Sequence, residues 1–439
     1  MDTRSLKYTT LWLMVVSGLN IVFGYLREVI VAYYYGLSIE LETYLVAVSI
    51  PNIIGIEVMG IIVTVLLPTY VSIKTKYGDG VATLKARTWT WHVIAITTCG
   101  GIAVYLLSPY ICYLLAPGFN AEKLAKTTKW MRIAVPITLL LGLSGMVKMV
   151  LDSNRKFFFP AFSKGVGSLF FIFVCIALSK KISGVNLVWA MLASTLVILF
   201  FSSIPIVSKF SSKEDKNHLE NVTYVPENNN IFNLIVIVGL NSLIFHFYSL
   251  IDRAFASTLA DGSIAILNYG NLLVNVPYTI FSLVIATVIF PELSERFAEK
   301  DHSRSIALTK KALLWCAFAY IIVSIVLIIF SRPFVSLLLQ RGNFTVDATR
   351  SVAMVLTILA ISLVPGGLWN IMSTYFRSQN LHIYLLHVAS FVLVGKFILN
   401  SMLVRYGVNG LACSSVITTW LGYVYLQYKY NTNVRALRA

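Results

Sequence analysis

The sequence is short of charge. Only 12% of its 439 residues are Asp, Glu, Lys or Arg, where soluble domains carry roughly 25%. Acids are the scarcer kind, 19 against 35 basic residues. So little polar material cannot cover a water-exposed surface of this size, which excludes a soluble enzyme or a disordered chain. Cysteine is scarce too: Cys99, Cys112, Cys175, Cys316 and Cys413 are scattered through apolar segments without a CxxC pairing. They read as small buried hydrophobes rather than a disulfide framework. His92, His218, His246, His302, His382 and His387 show no HExxH or other metal-ligand spacing. No GxGxxG, Walker loop or GxSxG elbow occurs. The longest polar segment, 209–230, is too short for a catalytic domain. A self-contained ATPase is therefore excluded, and the scattered acids and histidines do not suggest a membrane-embedded transferase. The expectation is a protein that is not an enzyme and holds no metal or cofactor.

What is present is hydrocarbon-compatible sequence, 57% apolar. A membrane-crossing helix needs about 20 such residues. Twelve stretches qualify, near 9–35, 43–73, 89–113, 130–151, 157–178, 185–207, 231–257, 264–290, 312–338, 350–376, 382–404 and 409–428. The expected class is an all-α polytopic membrane protein. Lys and Arg are unevenly spread over the intervening loops, 21 on one side and 10 on the other. The richer side is cytoplasmic by the positive-inside rule, which places both termini inside a bacterial cytoplasmic membrane. The net charge of +16 is thus mostly a topological signal and calls for lipid, not nucleic acid, as partner.

The two halves repeat. Arg27 precedes Gly36 by the same interval as Arg253 precedes Gly262, and Gly36 precedes Pro51 as Gly262 precedes Pro277. Thr64-Val-Leu-Leu-Pro68 answers Thr287-Val-Ile-Phe-Pro291, and Gly184-Val-Asn186 answers Gly407-Val-Asn409. The shift stays between 223 and 226. Six spans per half make this a parallel repeat about an axis along the membrane normal. The expected organisation is a six-helix lobe at 1–207, a linker at 208–230, a second six-helix lobe at 231–428, a tail at 429–439, and a central cavity.

Four cations fall inside spans: Arg27, Lys148, Arg253 and Lys396. Charge in hydrocarbon is costly and marks functional sites. Arg27-Glu28 and Asp252-Arg253 put an acid–base pair at matching places. Each Arg either snorkels or pairs with its neighbouring acid, or the two form a cationic wall for a phosphate or pyrophosphate, which suits the planar guanidinium fork. Lys396, mid-span, is a further candidate for a polar interior, whereas Lys148 lies close enough to the span end to snorkel. Glu57, Glu28 and Asp252 are candidates for proton or sodium coupling or for charge balance. Asn20 and Asn241 either bond between helices or polarise the cavity. Pro51 and Pro277 interrupt the helix ladder, as static kinks or as hinges.

Gly24-Tyr-Leu-Arg27-Glu28, Gly36, Glu42-Thr-Tyr-Leu-Val-Ala47 and Ile50-Pro51-Asn52 resemble the opening of the MurJ (MviN) lipid II flippases. Ile251-Asp-Arg253-Ala-Phe-Ala-Ser257, Gly262-Ser263, Asn268-Tyr269, Pro277 and Val288-Ile-Phe-Pro291-Glu-Leu-Ser294 resemble that family's seventh and eighth spans. Weaker similarity extends to the multidrug/oligosaccharidyl-lipid/polysaccharide exporter superfamily. The resemblance implies two lobes flanking a cationic cavity and translocation, without ATP hydrolysis, of an undecaprenyl-pyrophosphate-linked sugar from inner to outer leaflet. Arg27 matches a cavity arginine of the family, and Glu42 stands where the family carries Asp. The chain departs at Gly55 and Asn271, where the family has Arg, and in showing twelve spans where fourteen are usual. The implied partners are a polyprenyl-pyrophosphate-linked sugar and cell-envelope biosynthesis proteins, with membrane potential, H+ or Na+ as driving force. A flippase for a polysaccharide or O-antigen precursor and a cation-coupled multidrug exporter are the alternatives.

Overall fold

In hydrocarbon each backbone N–H and C=O must pair within the protein, and an apolar chain meets that demand most simply as helix. The computed structural model describes residues 3–179, 183–210, 230–299, 301–379 and 381–438, and among them there is no strand. The first half contains α1 (Thr3–Tyr35), α2 (Ile39–Ala47), α3 (Ser49–Ile61), α4 (Leu67–Leu115), α5 (Ala121–Ala134), α6 (Pro136–Ser153), α7 (Phe158–Ala177) and α8 (Val185–Phe210). The second contains α9 (Asn230–Ala256), α10 (Ser263–Val284), α11 (Phe290–Ala298), α12 (His302–Ile329), α13 (Ser331–Leu339), α14 (Val346–Ala360), α15 (Leu363–Ser378), α16 (His382–Leu403) and α17 (Gly407–Arg438).

Among the described residues, eight helical stretches are long and apolar enough to cross a membrane, or nine if α14 and α15, bent by 45°, form one span. Two of these stretches, Ile39–Leu115 and Ile383–Arg435, run to 77 and 53 residues, far beyond one crossing. Both are interrupted. Gly78 breaks α4 at φ 87° and ψ 170°, a conformation that only glycine adopts without strain. A short 3-10 turn, Val404–Tyr406, precedes Gly407 at φ 68° between α16 and α17. Large apolar side chains such as Leu106, Phe173, Phe200, Leu314, Ile329 and Leu337 stand exposed on the helices, as expected where lipid is the solvent.

The chain divides into two compact units. The first comprises Met1–Tyr35, Glu40–Leu114 and Phe119–Ser242; the second comprises Gly36–Ile39, Leu115–Gly118 and Leu243–Ala439. The expected linker at 208–230 lies almost wholly outside the described residues, and the expected tail continues α17 as helix. In the first unit α7 packs on α1 and α8, and α3 packs on α6. Its core gathers Ile62, Tyr70, Trp89, Met149 and Leu151. In the second, α12 packs on α15, α10 on α14 and α16 on α17. Its core is aromatic, with Tyr375 and Tyr430 edge-on at 4.8 Å beside Phe376.

The internal repeat extends to backbone detail. A π-helical turn, Ile62–Leu66, joins α3 to α4, and another, Ile285–Ile289, joins α10 to α11 at the same shift of 223. Each overlaps a Thr-Val-x-x-Pro motif. Proline lacks an N–H and crowds the carbonyl four residues back, and a widened turn relieves that conflict. Between the expected spans 89–113 and 130–151 the chain forms the amphipathic α5. Asn120 caps it by accepting from the Lys123 N–H at 2.8 Å, and Pro136 at the first position of α6 ends the run. Its repeat equivalent is α14, capped by Thr345, which accepts from the Ala348 N–H at 3.2 Å.

Candidate functional site

Arg27 lies in the last third of α1. Its Nε and Nη2 both donate to Glu28 Oε1, at 3.1 and 2.7 Å. The guanidinium also stands 5.2 Å from the centroid of the Phe171 ring on α7. Residues one apart do not face each other on a helix, so this pair forms by side chains curling round the axis. A guanidinium carries five N–H donors in a planar fork. Glu28 takes two, and the side chain is 33% exposed, so Arg27 keeps donors that an incoming anion could reach. The sequence expectation of a local acid–base pair thus describes the geometry of the first unit.

The second unit is arranged differently. Asp252 does not turn to Arg253. Asp252 Oδ1 accepts from Lys396 Nζ at 2.8 Å and from Asn400 Nδ2 at 2.8 Å, and Oδ2 accepts from Ser415 Oγ at 3.4 Å. The Lys396 ammonium also donates to Ser415 Oγ and to the Leu411 carbonyl, and it stands 4.8 Å from the Tyr248 ring centroid. Tyr248 is held in turn by Thr418 Oγ1 at 2.7 Å. Lys396 is 0% exposed. It was expected to face a polar interior; the polar interior it faces is this closed cluster of α9, α16 and α17, and it presents no donor to a cavity. Arg253 is half-buried in the last turn of α9, where the negative end of the helix dipole favours a cation.

The other expected site residues fall as follows. Glu57, buried on α3, accepts from Ser242 Oγ at 2.6 Å. Asn20 Nδ2 donates to the Ala161 carbonyl at 2.9 Å, a bond between α1 and α7. Asn241 lies on α9, and its side chain is outside the described residues. Asn271 is exposed on α10. Pro51 occupies the first turn of α3, just after a break at Val48, whereas Pro277 lies inside α10. Lys148 pairs with Asp152 one turn on. Among the described residues no cluster of metal-binding side chains occurs.

Sequence reasoning missed a further ion pair. Lys123 on α5 donates to Glu42 on α2 at 2.9 Å, both buried, and the ammonium lies 4.0 Å from the Phe119 ring centroid. One turn on, Lys126 pairs with Glu40, whose other oxygen accepts the Gly184 N–H at 2.6 Å. The spacing of Glu40 and Glu42 against Lys123 and Lys126 carries no local signal, because some 80 residues separate the partners.

Comparison with known proteins places this arrangement. The family model described as lipid II flippase MurJ matches residues 31–437. The chain belongs to the MurJ family. A probable lipid II flippase MurJ of Buchnera aphidicola subsp. Schizaphis graminum is 23% identical over 93% of this chain and 80% of its own length. The lipid II flippase MurJ of Burkholderia cenocepacia is 23% identical over 84% of this chain and 73% of its own. A solved structure of lipid II flippase MurJ in an inward closed conformation superimposes with a TM-score of 0.77 at 20% identity, covering 95% of this chain and 87% of that one. An inward-facing multidrug resistance MATE family transporter of the MOP superfamily reaches 0.72 at 14% identity, covering 96% and 95%. At those identities the likeness is one of fold. This MurJ-family chain is therefore a multi-pass membrane protein with a transporter fold.

Proposed function

We propose that the protein translocates an undecaprenyl-pyrophosphate-linked glycan precursor of the lipid II type from the inner to the outer leaflet by alternating access. The family match across residues 31–437 is the observation that carries this reading. It favours a lipid-linked glycan over an organic-cation drug, since the likeness to multidrug transporters is one of fold alone. The protein lies in the bacterial cytoplasmic membrane with both termini inside, as the Lys/Arg asymmetry supports.

In this mechanism the two intramembrane arginines do the recognition. Arg27 and Arg253 neutralise the pyrophosphate while the polyprenyl tail stays in lipid. Arg27 is suited to exchange: a phosphate oxygen replaces Glu28 on the fork and gains bidentate, charge-assisted hydrogen bonds. Asn271, exposed on α10 where family members carry Arg, offers an amide to the glycan or phosphate. Membrane potential resets the carrier, one charge moved through 100 mV being worth about 2.3 kcal/mol. Lys396 takes no part in substrate recognition. The test is complementation of a flippase-depleted strain. Arg27→Ala and Arg253→Ala are expected to abolish growth while the protein still inserts. Full complementation by both variants refutes the anion-recognition role.

A further inference from the structure

An acid within a membrane span is by default a candidate ion carrier. Asp252 is such an acid, and whether it serves coupling or charge balance decides what drives the cycle. We propose that Lys396 is the resident counter-cation of Asp252, so that this acid exchanges neither a proton nor a metal ion during transport. The inference rests on the flippase reading for its meaning but not for its test.

The geometry supplies three arguments. First, both carboxylate oxygens are occupied. Oδ1 holds the Lys396 ammonium and the Asn400 amide at 2.8 Å each, and Oδ2 holds Ser415 Oγ at 3.4 Å. Second, the ammonium is used up as well. Its three N–H bonds have Asp252 Oδ1, Ser415 Oγ and the Leu411 carbonyl as acceptors, with the Tyr248 face alongside. A metal ion entering the site would have to displace a tethered cation at very high effective concentration. Third, the site is closed to bulk solvent: Lys396 is fully buried and Asp252 nearly so.

Among the described residues, the charged or titratable groups near the pair are few. From α9 come Asp252 itself, the Tyr248 phenol, which is bonded to Thr418, and Arg253 as the following residue; from α16 comes Lys396 alone. The residues of α17 that face the pair, Leu411, Ser415 and Thr418, are neutral. Asn400 Oδ1 is buried without a hydrogen-bond partner, and as a neutral acceptor it adds no charge to the pair. Lys396 and Asp252 therefore sum to zero within one closed cluster.

A charge cycle on purified protein separates this from a coupling role. Thermal unfolding and the flipping of a fluorescent lipid II analogue in vesicles are measured with sodium and with sodium replaced by choline at constant ionic strength. The variants are Lys396→Met, Asp252→Asn and the double Asp252→Asn/Lys396→Met. The wild type is expected to melt at the same temperature in both media and to flip at the same rate. Each single variant strands one buried charge, and is expected to melt lower and to lose about tenfold or more in flipping. The double variant, neutral throughout, is expected to recover to within about threefold of wild type. A sodium-dependent melting temperature in the wild type overturns the inference. So does a double variant that melts like wild type and flips no faster than Asp252→Asn. If the wild type melts independently of sodium yet flips nothing, the inference stands and the proposed function fails.

Discussion

The buried pair of Glu42 and Lys123 permits a quantitative test of how the amphipathic helix α5 is held. Lys123 is 9% exposed, Glu42 is 2% exposed, and their charged atoms lie 2.9 Å apart. Removing one member of a buried pair leaves an uncompensated charge and costs about 3–5 kcal/mol. Two local features reduce that figure, unequally. In Glu42→Gln the ammonium keeps the Phe119 face at 4.0 Å, and a desolvated cation–π contact is worth up to about 2 kcal/mol. In Lys123→Met the carboxylate keeps its place in the first turn of α2, where the helix dipole contributes about 0.3–1 kcal/mol. The expected losses are therefore about 1–3 kcal/mol for Glu42→Gln and about 2–4 kcal/mol for Lys123→Met. The double variant removes both charges and is expected to lie within about 1 kcal/mol of wild type. Equilibrium unfolding in mixed micelles measures all four proteins. The coupling energy should reach about 2–7 kcal/mol. Single losses that add to the double within about 0.5 kcal/mol would show that the pair is a geometric coincidence and that α5 is held by apolar packing alone.

The repeat predicts matched capping. Asn120→Ala and Thr345→Ala each remove the side-chain acceptor for one orphan N–H, at α5 and at α14. Each is expected to cost about 1 kcal/mol in the same unfolding assay, with Gly at either position costing a few tenths. Gly367 on α15 packs against the fully buried Tyr320 ring, and a Cβ there would lie 2.0 Å from Tyr320 Cε2. Gly367→Ala is expected to destabilise by about 1–3 kcal/mol, since an overpacked contact between helices must push a ring aside. Gly367→Ala combined with Tyr320→Leu should recover most of the loss; failure of that rescue would show that the close approach is not the cause.

What was legible in the sequence follows from the range of the signal. Apolar runs are local and long, so the expected spans fall mostly on helix, with breaks such as those inside 43–73, 130–151 and 350–376. The repeat was visible because proline and glycine are demanded by backbone geometry and therefore recur at fixed positions. The π turns at Ile62–Leu66 and Ile285–Ile289 were hidden, although the repeated Thr-Val-x-x-Pro motif pointed at both. Helix α5 falls below the hydropathy of a span because four cations lie in Ala121–Ala134, and its local signature is the Asn120 cap with apolar Leu124, Trp130 and Met131 on the helix. The partner of Lys396 could not be read from its neighbourhood. Asp252 is on another helix, yet two faces had a local signature: Lys396 and Asn400 one turn apart on α16, and Leu411, Ser415 and Thr418 along one side of α17.

The two halves share backbone devices but not charge arrangements, and the difference bears on how an anion is recognised. The π turns, the capped helices α5 and α14, and the left-handed glycines Gly36 and Gly262 all recur at shifts of 223 to 226. The intramembrane charges do not. In α1 the acid follows its arginine and binds it, so Arg27 and Glu28 sum to zero. In α9 the acid precedes its arginine and is taken by Lys396, so Asp252 does not offset Arg253. With Lys396 added, the cluster of Asp252, Arg253 and Lys396 carries one positive charge more than the pair on α1. The lysine thus has a consequence beyond its own site: by holding Asp252, it keeps that acid from Arg253, so the second arginine is not bound by its sequence neighbour as Arg27 is.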